Sequence, residues 1–353
     1  MKFRKILILI TLAVFLCLTY FPSITLAQKE YPDFSELQKE GKDLILLFGS
    51  GTKPQAAGFA YHATCNRLFN NAPGILSTMA IVSGSVGGAM DILRGDPTDI
   101  TGGISLSALY QMAYGLGQWE GAPMPNDLRV LAHMFSAAAP IVVRADSGVY
   151  DIEDLEGKEY YFGYAGSSSE AIFKTVFDIL GIQVKFFPGS LQDAVQDIKD
   201  NRLIGLTATA RVGRFTPPLE EIQVTNPVRV IGFTDEQVKK VREKDPLIMF
   251  QKLPANYYDP PGHEPMNVIY IPMVWVCHKN LPEEAVYRMA KSYVEGWQKE
   301  LKEVFPLMAN DDPIDTSLIV SQVKGIYVHP GALRYYKEIG REIPESVIPP
   351  EMK

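Results

Sequence analysis

Tyr160-Tyr161-Phe162-Gly163-Tyr164-Ala165-Gly166-Ser167-Ser168-Ser169-Glu170-Ala171-Ile172-Phe173-Lys174-Thr175-Val176-Phe177-Asp178-Ile179-Leu180-Gly181 reads as a strand, a turn of small residues and a helix. The aromatic run fits a buried strand. Gly166, Ser167, Ser168 and Ser169 make the turn. Ile172, Phe173, Val176, Phe177 and Leu180 then fall on one helical face, which Gly181 closes as a C-cap. A strand that enters a helix this way leaves backbone N–H groups unpaired at the helix start. With the macrodipole and the serine hydroxyls they make a receptor for a carboxylate or a phosphate. The same residues also allow a plain reading, one serine as N-cap and the rest a tight loop. Recurrence of the unit along the chain favours a ligand.

Leu44–Phe48 is a continuous apolar run of the kind a strand buried on both faces requires. Gly49-Ser50-Gly51-Thr52 ends it, and a helix follows from about Gly58 to Asn70. Ile75–Val82 is a second strand, leading through Ser83-Gly84-Ser85-Val86-Gly87-Gly88 into a short helix that ends at Arg94. Ile100–Ile104 is a third, ending at Ser105 and Ser107, and Leu128–Phe135 a fourth that runs into Ala139–Arg144. Asp146-Ser147-Gly148 restarts the pattern, with a short helix near Asp151–Leu155, a strand at Gln183–Phe187 and a helix capped by Ser190 and Asp193. Strands at Leu203–Thr209 and Val228–Phe233, a helix over Glu236–Glu243 and a loop over residues 251–267 come next. Val268–Cys277 is a strand that returns to the first unit. The helix Pro282–Glu303 carries proline at N1, and a last helix covers Gly331–Gly340.

Strands alternating with helices predict α/β architecture with largely parallel sheets. The expected organisation is a leader at 1–27, a first lobe from 28–143 with 250–353, and a second lobe from 144–249. Open α/β sheets bind ligands at the carboxyl ends of their strands. The turns at 49–52, 83–88 and 166–169 sit at such ends and would face one cleft. Gly51, Thr52, Ser83, Ser85, Ser105, Gly166, Ser167, Ser168 and Ser169 are therefore the candidate ligand-binding residues. Arg211 and Arg214 follow another strand end, where a guanidinium fork would hold a carboxylate; taken singly, each reads more readily as a solvated surface arginine. Tyr61 would close over a ligand or belong to the core.

The formal net charge is −7. Lys2, Arg4 and Lys5 belong to the leader, so its removal leaves 31 of the 34 basic residues against 41 acidic ones, a charge of −10. An acidic chain without a basic run argues against nucleic acid and anionic membrane surfaces as partners. The leader has a charged start, an apolar stretch from Ile6 to Tyr20, a break at Pro22-Ser23 and a small-residue site at Thr25-Leu26-Ala27. Cleavage after Ala27, giving an exported, periplasmic protein from Gln28 onward, is the expectation, with an uncleaved anchor as the alternative. Cys65 and Cys277 then remain, free and buried or paired in a disulfide. The five histidines show no metal-ligand spacing.

Neither a nucleophile elbow nor a dinucleotide or phosphate loop is completed, and abundant hydrogen-bond donors stand without an acid–base pair. That is the composition of a binding site rather than a catalytic one. No cofactor, metal or catalytic residue is expected. A periplasmic enzyme on the same scaffold, and a receptor for a sensor or an ATP-driven importer, are the alternatives.

Val328-His329-Pro330-Gly331-Ala332-Leu333-Arg334-Tyr335-Tyr336-Lys337-Glu338-Ile339-Gly340 resembles the terminal motif of the TAXI family of solute receptors. These serve tripartite ATP-independent periplasmic (TRAP) transporters. Val142-Val143-Arg144-Ala145-Asp146-Ser147-Gly148 with Asp154-Leu155-Glu156-Gly157-Lys158, and Gly163-Tyr164-Ala165-Gly166-Ser167, are similar to two further segments of that family. The likeness spans about residues 44–340. The chain departs from it at Lys53-Pro54-Gln55, at Ser83–Gly88, which lacks the family's asparagine, and at Arg211 and Arg214. The resemblance implies a periplasmic-binding-protein-like fold of type II with the ligand cleft between two α/β lobes. It also implies capture of a small organic anion, glutamate- or dicarboxylate-like, by a monomer that partners the membrane permease subunits of a TRAP transporter.

Overall fold

The computed structural model describes residues 29–50, 57–121, 126–165, 167–207, 215, 217–258, 263–301, 312–314, 321 and 325–353. The leader and its cleavage site, Gly51, Thr52, Gly166, Arg211 and Arg214 lie outside the described residues. The chain forms α1 (Phe34–Lys39), β1 (Leu44–Ser50), α2 (Ala57–Asn70), β2 (Ile75–Ile81), α3 (Gly84–Arg94), β3 (Ile100–Ser105), α4 (Leu106–Tyr114) and β4 (Leu128–Ala139). It continues through β5 (Ile141–Arg144), β6 (Glu159–Tyr160), α5 (Ser168–Leu180), β7 (Lys185–Phe186), α6 (Leu191–Lys199), β8 (Gly205–Leu206), α7 (Pro217–Thr225), β9 (Val228–Ile231) and α8 (Asp235–Lys244). It then forms β10 (Met249–Leu253), β11 (Met266–His278), α9 (Glu283–Gly296) and α10 (Pro330–Glu338).

The first sheet has six strands in the order β10-β11-β3-β1-β2, with β4 also on β11. β1 runs parallel to β2 and β3, as helical crossovers α2 and α3 require. β11 returns from the second half of the chain and pairs antiparallel with β3, β4 and β10. A second sheet has β5 between β8 and β9, and β6 pairs with β7. The largest apolar cluster joins residues 34–134 to 247–347, while two smaller ones draw on residues 138–271. The molecule is thus a two-lobed α/β protein in which β4 and β11 run from one core into the other.

β4 is irregular at two places along its pairing with β11. Met273 pairs with Phe135 but Val274 with His133, so Met134 is an extra residue in β4. Trp275 pairs with Ala132 but Val276 with Val130, which makes Leu131 a second. β3 likewise sets Gly102 and Gly103 against Trp275 alone. Such bulges bend a strand and tighten its twist.

Several elements differ from the sequence expectation for local reasons. The aromatic run at 160–164 contributes only Glu159–Tyr160 to a strand and one bridge at Tyr161, because Gly163 turns the chain at φ +136°. Residues 251–253, expected as loop, complete β10 at the sheet's edge; Gln251 and Lys252 point to solvent while Leu253 is buried. Pro282 is the N-cap of α9 rather than its first residue. That helix ends at Gly296, packed on Leu68, and one turn of π-helix, Trp297–Leu301, follows. Cys65 and Cys277 are buried free thiols.

Candidate functional site

Three helix starts, those of α3, α4 and α5, are placed by the strand ends of the two lobes. Glycines decide how closely α3 lies on β3: a Cβ at Gly88 would stand 2.4 Å from Thr101 Oγ1. Ser83 occupies the N-cap of α3, yet its side chain caps nothing. The first-turn amides of α3 are therefore left to other partners. Ser85, in that turn, is 7% exposed. On β3, Ser105 caps α4 by accepting a hydrogen bond from Ala108 N at 3.1 Å.

On the second lobe the three serines divide their roles. Ser167 is the N-cap of α5, its Oγ accepting from Glu170 N at 3.2 Å. Ser169 Oγ donates back to Phe162 O at 2.6 Å. Ser168 alone reaches across, its Oγ donating to Gly103 O at 3.5 Å, a long bond that a better acceptor would displace.

Gly103 is the meeting point. Its φ of +76° suits glycine, and a Cβ there would lie 3.9 Å from Ser85 Oγ and 3.7 Å from both Met134 Sδ and Met273 Cε. Ser85 from the first lobe and Ser168 from the second thus converge on one backbone position, over a floor of Met134, Phe135 and Met273. Phe135, Ser136 and Ala137 are the three successive half-buried residues of the otherwise buried β4. Opposite Phe135, Met273 packs against both the first and the second core.

Tyr61 lies beneath this floor. It is 2% exposed, stacks edge-on against Phe135 with centroids 5.4 Å apart, and donates its hydroxyl to Met134 O. Beside it, Ser50 Oγ and His62 Nδ1 are 2.9 Å apart at the carboxyl end of β1. Burial pushes the His62 imidazole down to about 4, so it is neutral at pH 7. Gly103, Phe135, Met134, Met273 and the Ser50–His62 pair were not legible from sequence, since one histidine on a helix has no diagnostic spacing. The paired glycines at 102 and 103 were the one available sign of a bulge in β3.

Chemically this is a donor-rich cradle at two helix starts, with Glu170, paired to Lys174, in the first turn of α5. Among the described residues no group of three His, Cys, Asp or Glu is placed to hold a metal ion, and no helix is long and apolar enough to cross a membrane.

Comparison with known proteins places this arrangement among others. The model of the NMT1-like family matches residues 72–340. MatC from Rhodopseudomonas palustris, solved with bound malate, superimposes with a TM-score of 0.51 at 12% identity, covering 83% of this chain and 98% of MatC. The fold is therefore that of MatC, two α/β lobes of the periplasmic-binding-protein type. The periplasmic binding protein BugD is similar with a TM-score of 0.48 at 13% identity, covering 85% of this chain and 98% of BugD. A TctC solute-binding protein from Polaromonas, solved without ligand, is similar with a TM-score of 0.44 at 14% identity, covering 75% and 88%.

Proposed function

The chain belongs to the NMT1-like family, and from that premise we propose that it is an extracytoplasmic solute receptor. It captures a small organic anion, glutamate- or dicarboxylate-like, and delivers it to a membrane transporter. Within that class it acts as a TAXI-type receptor, a monomer serving the permease subunits of a TRAP transporter, and not as an enzyme. The lobes divide within β4 near Ala137 and within β11 near Met273, rather than at the expected breaks after Val143 and before Phe250, and the mature protein is periplasmic, cleaved after Ala27.

The observation that carries the reading is the convergence of Ser85 and Ser168, each in the first turn of a helix from a different lobe, on Gly103. A solute held by both serines and by first-turn amides bridges the lobes and favours the closed state by its differential affinity. Arg211, with Arg214 as the next residue to test, meets a second carboxylate through a bidentate fork.

Native mass spectrometry of protein purified from its source identifies a co-purified solute, and malate and glutamate are the first titrants. A hydrogen bond to a charged group contributes about 1.5–3 kcal/mol, so Ser168→Ala weakens binding roughly ten-fold or more. Ser167→Ala removes a cap instead and lowers stability by about 0.5–2 kcal/mol with a smaller change in affinity. An unchanged dissociation constant in a Ser85/Ser168 double alanine variant would remove this site. Arg211→Lys is expected to cost a dicarboxylate more than a monocarboxylate of similar size.

A further inference from the structure

The two extra residues of β4 share a chemical problem. A bulged residue drops out of the ladder, and its carbonyl, buried here, needs another donor. In both cases a tyrosine hydroxyl supplies it. Tyr336 Oη donates to Leu131 O at 2.8 Å, and Tyr61 Oη donates to Met134 O. At the Met134 bulge the support extends further. Tyr293 Oη donates to the adjacent His133 O at 2.8 Å and accepts from Trp275 Nε1 at 3.0 Å. The two phenolic oxygens lie 3.5 Å apart. Burial pushes both phenols well above their ordinary range, so each keeps the proton it donates.

The two bulges differ in position. Leu131 is surrounded along β4 by residues of the first core, from Leu128 to Met134. Met134 is the last of them. The half-buried stretch Phe135–Ala137 follows at once, and Ala138 and Ala139 already belong to the clusters of the second lobe. Trp275, which donates to Tyr293, is also the residue that faces the bulged Gly102–Gly103 pair of β3. Tyr61 on α2 and Tyr293 on α9 thus grip β4 at the place where it leaves one lobe for the other.

We propose that Tyr61 and Tyr293 are positioning residues for cleft closure. By holding the bulged carbonyl of Met134 and its neighbour at His133, they fix the angle at which the second lobe leaves the first. Tyr336, which performs the same service inside the first lobe, only stabilises it. Capture by closure rests on the receptor reading above; the angle itself does not depend on any solute.

Double electron–electron resonance between spin labels at Arg94→Cys and Asp178→Cys, exposed sites on the two lobes, reads the angle in protein without added solute. Cys65 and Cys277 are buried and are left in place. Tyr61→Phe, and more so the Tyr61→Phe/Tyr293→Phe pair, is expected to shift and broaden the inter-lobe distance distribution. Tyr336→Phe is expected to lower the unfolding temperature while leaving the distribution unchanged. Tyr293→Phe alone, which keeps Tyr61 on Met134, gives a smaller shift and decides the matter should the pair fail to fold. Superimposable distributions for the parent and the Tyr61 and Tyr293 variants overturn the proposal, as does an equal shift from Tyr336→Phe. A changed angle in protein that binds no carboxylate would sink the receptor reading and leave the hinge assignment standing.

Discussion

Gly102 and Gly103 stand side by side in β3 and are glycine for different reasons. At Gly103 the backbone is left-handed, φ +76°, and space for a methyl group exists. Gly103→Ala therefore costs mainly conformational strain, about 1–2 kcal/mol. At Gly102 a Cβ would fall 1.6 Å from the Trp275 ring, which is itself fully buried. Gly102→Ala forces the indole or the strand to move, at about 1–3 kcal/mol or more. Urea unfolding of the two variants checks the order; a cheaper Gly102 variant would mean that Trp275 has room to yield. His62 adds a dependence on pH. Its imidazole takes up a proton near pH 6.5 when unfolded but only near 4 when folded. Between those values the unfolded chain binds more protons, so stability is constant above about 6.5 and falls as pH is lowered towards 4. The expected observation is a urea midpoint that drops between pH 7.5 and 5, and drops less in His62→Gln. At this scale the serines were legible because hydroxyls after a glycine turn have few roles. Which serine caps and which reaches the other lobe was not legible. That division depends on Phe162 and Gly103, residues whose backbone positions no local pattern specifies.

The helix α10 explains why the segment most recognisable in the sequence is not the site. His329 is its N-cap, with Nδ1 accepting from Gly331 N at 3.2 Å, and Pro330 opens the first turn. Burial, and then the nearby Arg129 charge, push this imidazole down to about 3, which preserves the unprotonated nitrogen that the cap needs. Gly331 lets α10 lie on α9, since a Cβ would stand 2.2 Å from Glu283 O and 2.6 Å from Tyr287 N. Arg334 ties to Glu283 at 3.4 Å and to Glu284 at 2.5 Å, and Tyr336 holds the first bulge of β4. Every one of these contacts is structural. Gly331→Ala should therefore lower stability by about 1–3 kcal/mol while leaving solute affinity intact in the folded fraction, as calorimetry beside thermal unfolding would show. A loss of affinity at unchanged stability would instead place α10 in the site. Helix ends were legible wherever a side chain writes them: Ser190 and Asp193 form the predicted capping box, and Gly181 is the left-handed C-cap. The edge strand β10 was not, because a strand with one free edge and a polar face has the composition of a loop.

The restart of the strand–helix pattern near residue 145 made the second unit readable, because each repeat of a periodic segment is local. The contacts that join the lobes are not local, and a chain pattern has no way to state them. Gln111 of α4, 4% exposed, donates from Nε2 to Thr175 Oγ1 of α5 at 2.9 Å across residues 64 apart in sequence. Ser107 of the same helix donates to Asp245 Oδ2 at 3.0 Å, in the segment that leads from α8 back to β10. Burial raises the Asp245 carboxyl, with the Ser107 bond opposing. Helix α4 therefore ties the first lobe both to the second and to the returning chain. A bond that exists only when the lobes touch adds to the closed state alone, and a solute that binds the closed state inherits the difference. Gln111→Ala removes about 0.5–1.5 kcal/mol from closure and should weaken a bridging solute by roughly two- to ten-fold. Thr175→Val deletes the same bond but leaves the one Gln111 makes to Asp245, so it should cost no more than Gln111→Ala, and the double variant should be no weaker than Gln111→Ala alone. Additive losses would show that the two side chains act separately and that the lobes do not close through this bond. Affinity equal to the parent's in all three variants would mean that the solute closes the cleft unaided, through Ser85 and Ser168 on either side of Gly103.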